Sequence, residues 1–260
     1  MRSDLRLVAC SLRQAARFFI AIIGSVALPT TVLALDASGV RVWLPEGVTT
    51  VAPVIDRLFY VVLVITGVVF LLVQATLLVF LIRYRRRPGR AAHYTHGNNA
   101  VEVVWTVIPA LILAWLAFYS QRVWSQVRGT PPPADLHIEI TAEQFVWNIR
   151  YAGPDGELNT PDDITTINQL HLPVHQIVLV HLKSKDVIHS FFVPQFRMKL
   201  DAVPGMTGRL WFSATKTGHY EIACAELCGL GHYRMRGYLT IESPEEFQAW
   251  LTKTQAENRT

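Results

Sequence analysis

The side chains with the most distinctive chemistry lie near the end of the chain, in the segment CAELCGLGHYRM over residues 224–235. Two thiols, one imidazole and one thioether occur there within twelve residues. Sulfur and imidazole donors together form a soft ligand set, which favours copper over harder cations. Gly229 and Gly231 allow the backbone to turn tightly enough for these side chains to converge. The segment predicts a metal site with copper as the preferred ion.

Other interpretations of Cys224, Cys228, His232 and Met235 explain fewer of these residues. A disulfide between the cysteines would leave the histidine and the methionine without a role. A structural zinc site normally uses four Cys or His ligands, and methionine is a poor zinc ligand. A mononuclear blue-copper site uses one Cys, two His and a weak Met. The second cysteine makes a pair of metal ions that share both thiolates reasonable, but this segment supplies only one histidine.

A second histidine is available upstream, in the segment KDVIHSFFVP over residues 185–194. His189 follows a predicted strand and precedes an aromatic stretch, and cupredoxin-type sites take one histidine from such an earlier strand. We therefore expect His189 to complete the donor set. We interpret four other histidines in this half of the chain as ordinary surface or core residues, namely His137, His171, His175 and His181.

Short strands must bring these donors together. Between residues 135 and 242, runs of β-forming residues alternate with turn residues at regular spacing and without helical periodicity, which favours an all-β sandwich or barrel. The clearest predicted strands are 136–142, 175–182, 208–214, 218–224 and 237–242. Ser243, Pro244 and Glu246 then form a capping-box pattern, which predicts a final helix within the C-terminal segment 243–260.

Two apolar segments precede the strands. Residues 58–82 form a run of 25 residues without a charge, which at about 1.5 Å rise per residue exceeds a hydrocarbon core of roughly 30 Å. A second membrane span is predicted over 100–121, where Pro109 introduces a kink of the kind that membrane helices tolerate. The segment 122–134 contains three consecutive prolines and is predicted to be a stiff linker to the β domain at 135–242.

The loop between the predicted spans, 83–99, is strongly basic, with five arginines in residues 83–90. Short basic loops stay in the cytoplasm, so the segment 35–57 and everything after the second span are expected on the outer side. Binding of nucleic acid or anionic lipid is the alternative for this loop. Nucleic-acid binding has little support, because residues 122–260 carry 13 Lys and Arg against 15 Asp and Glu, and the net charge of +4 comes from the membrane part.

The first 34 residues have the pattern of a secretory signal peptide. Four arginines precede the apolar stretch Phe18–Leu28, and small residues before Leu35 offer a cleavage site after Ala34. A third membrane helix is the alternative, but the stretch has only 11 residues and ends at Pro29, so it is too short to span.

These motifs resemble a known family. The pattern CxExCGxGHxxM, the upstream VIHSFxxP and the pattern KxDAxPG at 199–205 are similar to the copper A domain of cytochrome c oxidase subunit II. The resemblance extends to NNAVEVVWTVIP at 98–109, which is similar to the start of the family's second helix, and it covers about residues 56–243. It implies a two-helix transmembrane hairpin followed by an all-β cupredoxin-like Greek-key barrel or sandwich. It also implies a bacterial inner membrane, with the copper domain on the periplasmic face.

The resemblance also implies how a binuclear copper A centre would be bound. Both cysteines would bridge the two ions, each histidine would bind one ion, and a thioether and a backbone carbonyl would be weak ligands. The residues so implied are His189, Cys224, Glu226, Cys228, His232 and Met235. The Glu226 carboxylate would in addition reach a magnesium ion shared with subunit I, whereas a solvated loop carboxylate is the alternative for this residue.

The function implied by the resemblance is electron uptake for a proton-pumping respiratory oxidase. An external donor, cytochrome c in the usual case, would supply electrons that pass to haem in subunit I, where oxygen is reduced to water. Subunit I, subunit III and the lipid bilayer are the expected partners. A related oxidase fed by a different donor complex is the alternative. A quinol oxidase subunit lacks the copper ligands, and a nitrous oxide reductase needs a propeller domain for which this chain has no room.

The resemblance gives roles to three further residues. Glu102 would mark the cytoplasmic mouth of a proton channel into subunit I, although an ionisable group at a helix mouth can also simply reach water. The family usually has the aromatic cluster QWYW, whose first tryptophan receives the donor's electron. Here the cluster is QFVW over 144–147, so Phe145 occupies that position, and Trp147 either takes over the role or belongs to the core.

The loop 153–163 is a further departure from the family. Asp155, Glu157 and Asn159 place oxygen atoms at alternate positions, and two aspartates follow at 162 and 163, so the loop is a candidate calcium site. It lacks the glycine that an EF-hand loop requires at its sixth position, and acidic turns are usually only solvated.

Overall fold

The computed structural model describes residues 43–91, 94 and 96–258. The predicted signal peptide at 1–34 lies outside the described residues. The described chain falls into two compact units. One comprises Asp56–Val123, and the other combines the segment that ends at Ile55 with the chain from Trp124 onward. The predicted order, two apolar helices followed by a β-sandwich, is confirmed.

Two long helices make up the apolar part of the described residues. Helix α1 spans Ala52–Arg83 and helix α2 spans Asn99–Arg128, and both are long and apolar enough to cross a membrane. The second helix continues beyond its predicted end at residue 121, so the linker predicted over 122–134 starts only after Arg128. The helix continues because residues 122–128 contain neither Pro nor Gly, and their Gln and Arg side chains favour helix as well as an apolar run does.

Ten strands form the sandwich. In chain order they are β1 Leu136–Glu143, β2 Val146–Tyr151, β3 Ile164–Ile167, β4 Gln169–Pro173, β5 Ile177–Ser184, β6 His189–Val193, β7 Met198–Ala202, β8 Gly208–Ser213, β9 Gly218–Cys224 and β10 Arg236–Glu242. One sheet has the order β3-β2-β1-β5-β8 and the other has the order β4-β10-β9-β6-β7. The pairs β1–β5 and β4–β10 are parallel, and the other neighbours are antiparallel.

Five strands, β2, β3, β4, β6 and β7, were not among the clearest predicted ones. Strand β6 is buried along nearly its whole length, so it lacks the alternation of polar and apolar residues that marks a half-buried strand. Strands β3 and β4 are short and are separated only by Asn168, which adopts a left-handed conformation with φ of 58°. Asparagine tolerates this conformation, and its side-chain oxygen accepts a hydrogen bond from the Trp147 N–H at 2.8 Å.

The core lies between the two sheets. Strands β2 and β5 bury every second residue, as expected for strands with one face covered. The largest fully buried aromatic side chains are Trp147, Tyr151, Phe191, Phe196 and Phe212. Because apolar burial is the main favourable term in folding, this core holds the loops at the sheet edges in place.

The segment before α1 is attached to the sandwich by hydrogen bonds. The Val48 N–H donates to the Gln195 carbonyl at 2.9 Å, and the Thr49 hydroxyl donates to the Phe196 carbonyl at 3.2 Å. Val48 and Thr49 are both buried. Of the segment predicted at 35–57, residues 43–55 therefore belong structurally to the β unit, and the last two residues belong to the helical unit.

The last helix, α3, spans Pro244–Asn258 and begins with the predicted capping box. The Ser243 N–H donates to the Glu246 carboxylate at 3.0 Å, and the Glu246 N–H donates to the Ser243 hydroxyl at 3.2 Å. Trp250 of this helix packs edge-on against Tyr151, with ring centroids 5.3 Å apart. The helix thereby covers one end of the core.

Candidate metal centre

Strand pairing explains why the upstream histidine lies beside the cysteine segment. His189 is the first residue of β6 and Cys224 is the last residue of β9, and the register pairs Phe191 with Cys224. Directly paired residues point to the same face of a sheet, and so do residues two apart on one strand. His189 and Cys224 therefore project from the same face, at the edge from which the 225–235 loop departs.

The donor atoms converge at this edge. The Sγ atoms of Cys224 and Cys228 are 3.8 Å apart. His189 Nδ1 lies 4.0 Å from Cys224 Sγ, whereas His232 Nδ1 lies 3.6 Å from Cys228 Sγ. Met235 Sδ lies 3.7 Å from Cys228 Sγ. Each imidazole thus approaches a different thiol, which suits two metal positions joined by two sulfurs.

The backbone supplies one more donor. The Glu226 carbonyl oxygen lies 3.3 Å from Cys224 Sγ, while the Glu226 side chain is exposed. Within the described ranges, the group of side chains that could hold a metal ion comprises His189, Cys224 and Cys228. The six residues named from the sequence are therefore brought together around two thiols, and their donor set fits copper.

The site is largely shielded from water. His189, Cys228 and Met235 are buried, and Cys224 is partly buried. Burial, together with the adjacent Cys224 thiol, raises the pKa of the Cys228 thiol to about 11. Without a metal the pocket therefore contains a protonated Cys228, since burial disfavours the thiolate.

Two glycines of the 225–235 loop, called the ligand loop from here on, are required by close contacts. Gly229 has φ of +129°, and a Cβ atom there would meet the Gln144 Nε2 atom at 2.7 Å. A Cβ atom on Gly231 would lie 2.5 Å from the Phe145 ring. The sequence predicts tight turning at these glycines, and the structure adds that the turn at residues 144–145 lies directly on them.

Asp186 is a residue of the site that the sequence interpretation missed. Its Oδ1 atom lies 2.8 Å from His189 Nε2, and its Oδ2 atom accepts the Gln144 N–H at 2.7 Å. Burial acts to raise the pKa of this carboxyl, but the hydrogen bonds from His189 and from the Gln144 and Val187 N–H groups outweigh it, and the pKa is lowered. A carboxylate three residues before a ligand histidine is a signal that the sequence does contain.

The two aromatic candidates of the 144–147 turn have different surroundings. Trp147 is completely buried, and its ring lies edge-on to Phe191 at 5.7 Å and to His189 at 6.3 Å. Phe145 is partly buried and packs on the core and on the ligand loop. Trp147 is therefore a core residue next to the site, whereas Phe145 lies between the ligand loop and the surface.

Glu102 lies far along the chain from this site, in the first turn of α2. Asn98 caps that helix, because its side-chain oxygen accepts the Ala100 and Val101 N–H groups at 3.0 and 3.3 Å. The Glu102 carboxylate lies close to Gly97, just outside the helix. This places it at the end of α2 that adjoins the arginine-rich loop.

In the loop 153–163, oxygen atoms proposed for calcium already accept hydrogen bonds. The Asn159 and Asp163 side chains both accept from the Arg150 guanidinium, at 3.0 and 3.3 Å, and Asp155 accepts the Glu157 N–H at 2.9 Å. The positive guanidinium beside these oxygens offsets the negative charge that would attract a calcium ion. The geometry gives the calcium prediction no support.

Comparisons with known proteins agree with these observations. The family profile described as cytochrome C oxidase subunit II, periplasmic domain, matches residues 140–242, and the profile described as its transmembrane domain matches residues 37–123. Cytochrome c oxidase subunit 2 of Thermostichus vulcanus is 33% identical over 268 residues, covering 82% of this chain and 79% of that protein. Alternative cytochrome c oxidase subunit 2 of Bradyrhizobium diazoefficiens is 34% identical over 209 residues, covering 72% and 75%.

A solved structure is also similar. The crystal structure of the periplasmic domain of subunit II of cytochrome oxidase of Bradyrhizobium japonicum is 30% identical and superposes with a TM-score of 0.45. The match covers 49% of this chain and 99% of that domain.

Proposed function

Because the chain belongs to the cytochrome c oxidase subunit II family, whose members are part of haem–copper oxidases, we propose that it takes up electrons at a binuclear copper centre. It passes these electrons to haem in subunit I, where oxygen is reduced to water and protons are pumped. The observation that carries this proposal is the convergence of two thiols, two imidazoles, a thioether and a carbonyl at one sheet edge.

The residues that would hold the two copper ions are His189, Cys224, Glu226 through its carbonyl, Cys228, His232 and Met235. When bound, a pair of copper ions would supply a centre over which one electron is delocalised, so that little structural change would accompany electron uptake. The chain contributes rigidity, because strand β6 is buried along nearly its whole length and the glycines of the 225–235 loop are tightly packed, which leaves the donors little freedom to move. It also excludes water, since His189 and Met235 are buried.

We assign the contact with the electron donor to the surface around Phe145. This ring is partly exposed and packs against Gly231 of the ligand loop, whereas Trp147 is enclosed in the core. The donor is cytochrome c or another small redox protein. Substitution of Phe145 is therefore expected to change the rate of donor oxidation, whereas substitution of Trp147 is expected to lower the stability of the fold.

The outer surface of the ligand loop is apolar and is assigned to subunit I. Leu227, Leu230 and Tyr233 are 77%, 97% and 80% exposed. Large apolar side chains that are exposed together on one loop are typical of protein interfaces. The exposed Glu226 carboxylate lies on the same loop, where it would hold a magnesium ion shared with subunit I. Subunit III is the further partner.

The membrane part supplies anchoring and proton uptake in this proposal. The basic loop keeps the ends of α1 and α2 that adjoin it in the cytoplasm of a bacterial cell, with the β unit on the periplasmic side of the inner membrane. Glu102 then lies at the cytoplasmic mouth of a proton channel. In the assembled oxidase, Glu102→Gln is expected to slow proton uptake while the copper spectrum stays unchanged. An unchanged uptake rate would remove Glu102 from the channel.

The test of the central proposal is an EPR and absorption study of the full chain after loading with copper. The expected result is a mixed-valence spectrum with hyperfine structure from two copper nuclei that share one unpaired electron. The control is Cys228→Ser, which removes one shared sulfur and should abolish that spectrum. A single-copper spectrum from the wild-type chain would contradict the proposal.

A further inference from the structure

A line of hydrogen bonds joins the two segments that supply the metal donors, and it runs through residues that are not donors themselves. It starts at His189, passes through Asp186 and Gln144, and ends at the Cys228 carbonyl. We call the pair of non-ligand residues the Asp186–Gln144 bridge. Asp186 lies in the turn between β5 and β6, and Gln144 lies in the turn between β1 and β2.

The Asp186 carboxylate contacts both turns at once. One oxygen, Oδ1, lies 2.8 Å from His189 Nε2 and also accepts the Val187 N–H at 2.6 Å. The other oxygen, Oδ2, accepts the Gln144 N–H at 2.7 Å. Because the carboxylate accepts a hydrogen bond from Nε2–H, the lone pair of the neutral ring is on Nδ1, the atom that faces Cys224.

Gln144 carries the connection onward to the ligand loop. Its Nε2 group donates to the Cys228 carbonyl at 2.5 Å. The neighbouring Phe145 ring occupies the space that a side chain at Gly231 would need. The turn at residues 144–145 therefore fixes the backbone between two of the proposed copper ligands.

The bridge is itself held by the first sheet. Ala142 pairs with Ser184 in the parallel register of β1 and β5, and the Lys185 N–H donates to the Ala142 carbonyl at 3.0 Å. Lys185 also forms an ion pair with Glu143 at 2.6 Å. Because both turns are attached to one sheet, the bridge can hold ligands that the other sheet supplies.

The two donor histidines, His189 and His232, differ in their burial and in their polar partners. His189 is buried and has a carboxylate partner, whereas His232 is partly exposed. In the part of the chain that the structure describes, the only polar contact of the His232 ring is with Cys228 Sγ. A carboxylate that accepts from one ring nitrogen increases the basicity of the other nitrogen. The two donor imidazoles are therefore chemically unequal.

We propose that Asp186 and Gln144 are positioning residues that hold His189 and the Cys228 backbone in the metal-binding arrangement before copper arrives. The bridge also makes the metal position at His189 more electron-rich than the position at His232. This inference rests on the proposed function, because it assigns roles toward the same copper centre.

The test compares the copper-loaded wild-type chain with three single variants and with the double variant of Asp186 and Gln144. Asp186→Asn keeps the size of the side chain but removes its charge, and Gln144→Leu removes the donor to the Cys228 carbonyl. The matched control is Asp135→Asn, because the Asp135 carboxylate also accepts a backbone N–H at 2.7 Å, from Ile177, but among the described residues it has no hydrogen bond to a proposed copper ligand. Copper affinity, reduction potential and the separate hyperfine couplings of the two imidazoles are measured.

Asp186→Asn is expected to keep a two-copper spectrum and to bind copper about 10- to 100-fold more weakly. Its reduction potential is expected to rise, since a nearby negative charge favours the more oxidised centre. The hyperfine coupling of one imidazole should change and that of the other should not. Gln144→Leu should also weaken copper binding, and the double variant should lose less affinity than the sum of the two single variants, as expected for one network.

The bridge is rejected if Asp186→Asn and Gln144→Leu both match Asp135→Asn in copper affinity and reduction potential. It is also rejected if the melting temperature of the metal-free chain falls in Asp186→Asn while reduction potential and hyperfine couplings stay the same, because that would show a role in folding alone. A wild-type chain without a two-copper spectrum would instead contradict the proposed function.

Discussion

Cys228 lies at the centre of the donor cluster. Its sulfur is 3.8 Å from the Cys224 sulfur, 3.6 Å from the His232 Nδ1 atom and 3.7 Å from the Met235 sulfur. The sequence spacing of these residues already suggests one loop, since they span residues 224–235. At the scale of single residues, two substitutions or modifications follow from these distances.

The first concerns Met235, a buried thioether that we propose as a weak copper ligand. Met235→Leu preserves volume, so the expected loss of stability is under about 1.5 kcal/mol. The two-copper spectrum should persist, and the reduction potential should rise, because loss of a donor destabilises the more highly charged oxidised state more than the reduced one. Potentiometric titration with thermal melting checks both. An unchanged potential would exclude Met235 as a ligand.

The second concerns the two thiols, which are unpaired in the structure. At an Sγ–Sγ distance of 3.8 Å, a thiol oxidant such as diamide should join Cys224 and Cys228 in a disulfide. The two thiols lose two protons and two electrons to the oxidant, and the site should then take up no copper until a dithiol reductant is added. Copper uptake before and after reduction is the measurement, with Cys10→Ser as the background so that only this pair can react. Full copper uptake by the oxidised chain would contradict the geometry.

At the scale of elements, α3 is attached to the sandwich through a cluster around Trp250. The His171 ring of β4 stacks on Trp250, with centroids 4.1 Å apart and planes at 8°. Its Nδ1 atom lies 3.2 Å from the Glu242 carboxylate. Burial lowers the pKa of His171, and this effect outweighs the opposing influence of Glu242. The neighbouring His219 acts in the same direction as burial.

This pKa shift predicts a loss of stability on acidification. A histidine with a pKa below 6.5 in the folded chain binds its proton more readily when unfolded, so the free energy of unfolding falls as the pH drops below about 6.5. The melting temperature of the full chain should therefore decrease between pH 7.5 and 5.5, and His171→Gln should show a smaller decrease. His96→Gln is the control, since His96 is exposed in the loop between α1 and α2 and is distant in sequence from α3. An identical pH dependence in wild type and His171→Gln would contradict this prediction.

At the scale of the whole molecule, charge is distributed unevenly between the membrane part and the β domain. The first 121 residues hold 11 of the Lys and Arg residues against 5 Asp and Glu, and five of these arginines lie in 83–90. Positive charge there sets the direction in which the helices cross the membrane. The near balance of charges in the rest of the chain suits a domain exposed to water.

The orientation can be tested with trypsin, which cleaves after arginine. In sealed inside-out vesicles the exposed loop between α1 and α2 should be cut, separating the two helices, and in right-side-out vesicles it should be protected. Detergent-opened right-side-out vesicles are the control that the loop is cleavable at all. Cleavage of the loop in intact right-side-out vesicles would show the opposite topology.

Patterns that lie within one segment were predictable from the sequence. The apolar run at 58–82 identified the first helix, the Ser243–Glu246 capping box placed the start of the last one, and the soft donors at 224–235 indicated the site. Each of these depends on neighbours a few residues apart, because hydropathy, capping and loop geometry are local properties.

Only the tertiary structure decided which distant groups meet. The Gln144 N–H contacts Asp186 across 42 positions, and the Gln144 side chain contacts Cys228 across 84. Such contacts depend on sheet register, which no local pattern reveals. The burial of Trp147 and the hydrogen bond from Arg150 to the Asn159 side chain also depend on how the strands pack. Local patterns were thus sufficient to indicate a soft donor set and two apolar helices. The packing of two sheets decided how the donors are held, because only folding brings the β1–β2 and β5–β6 turns against the ligand loop.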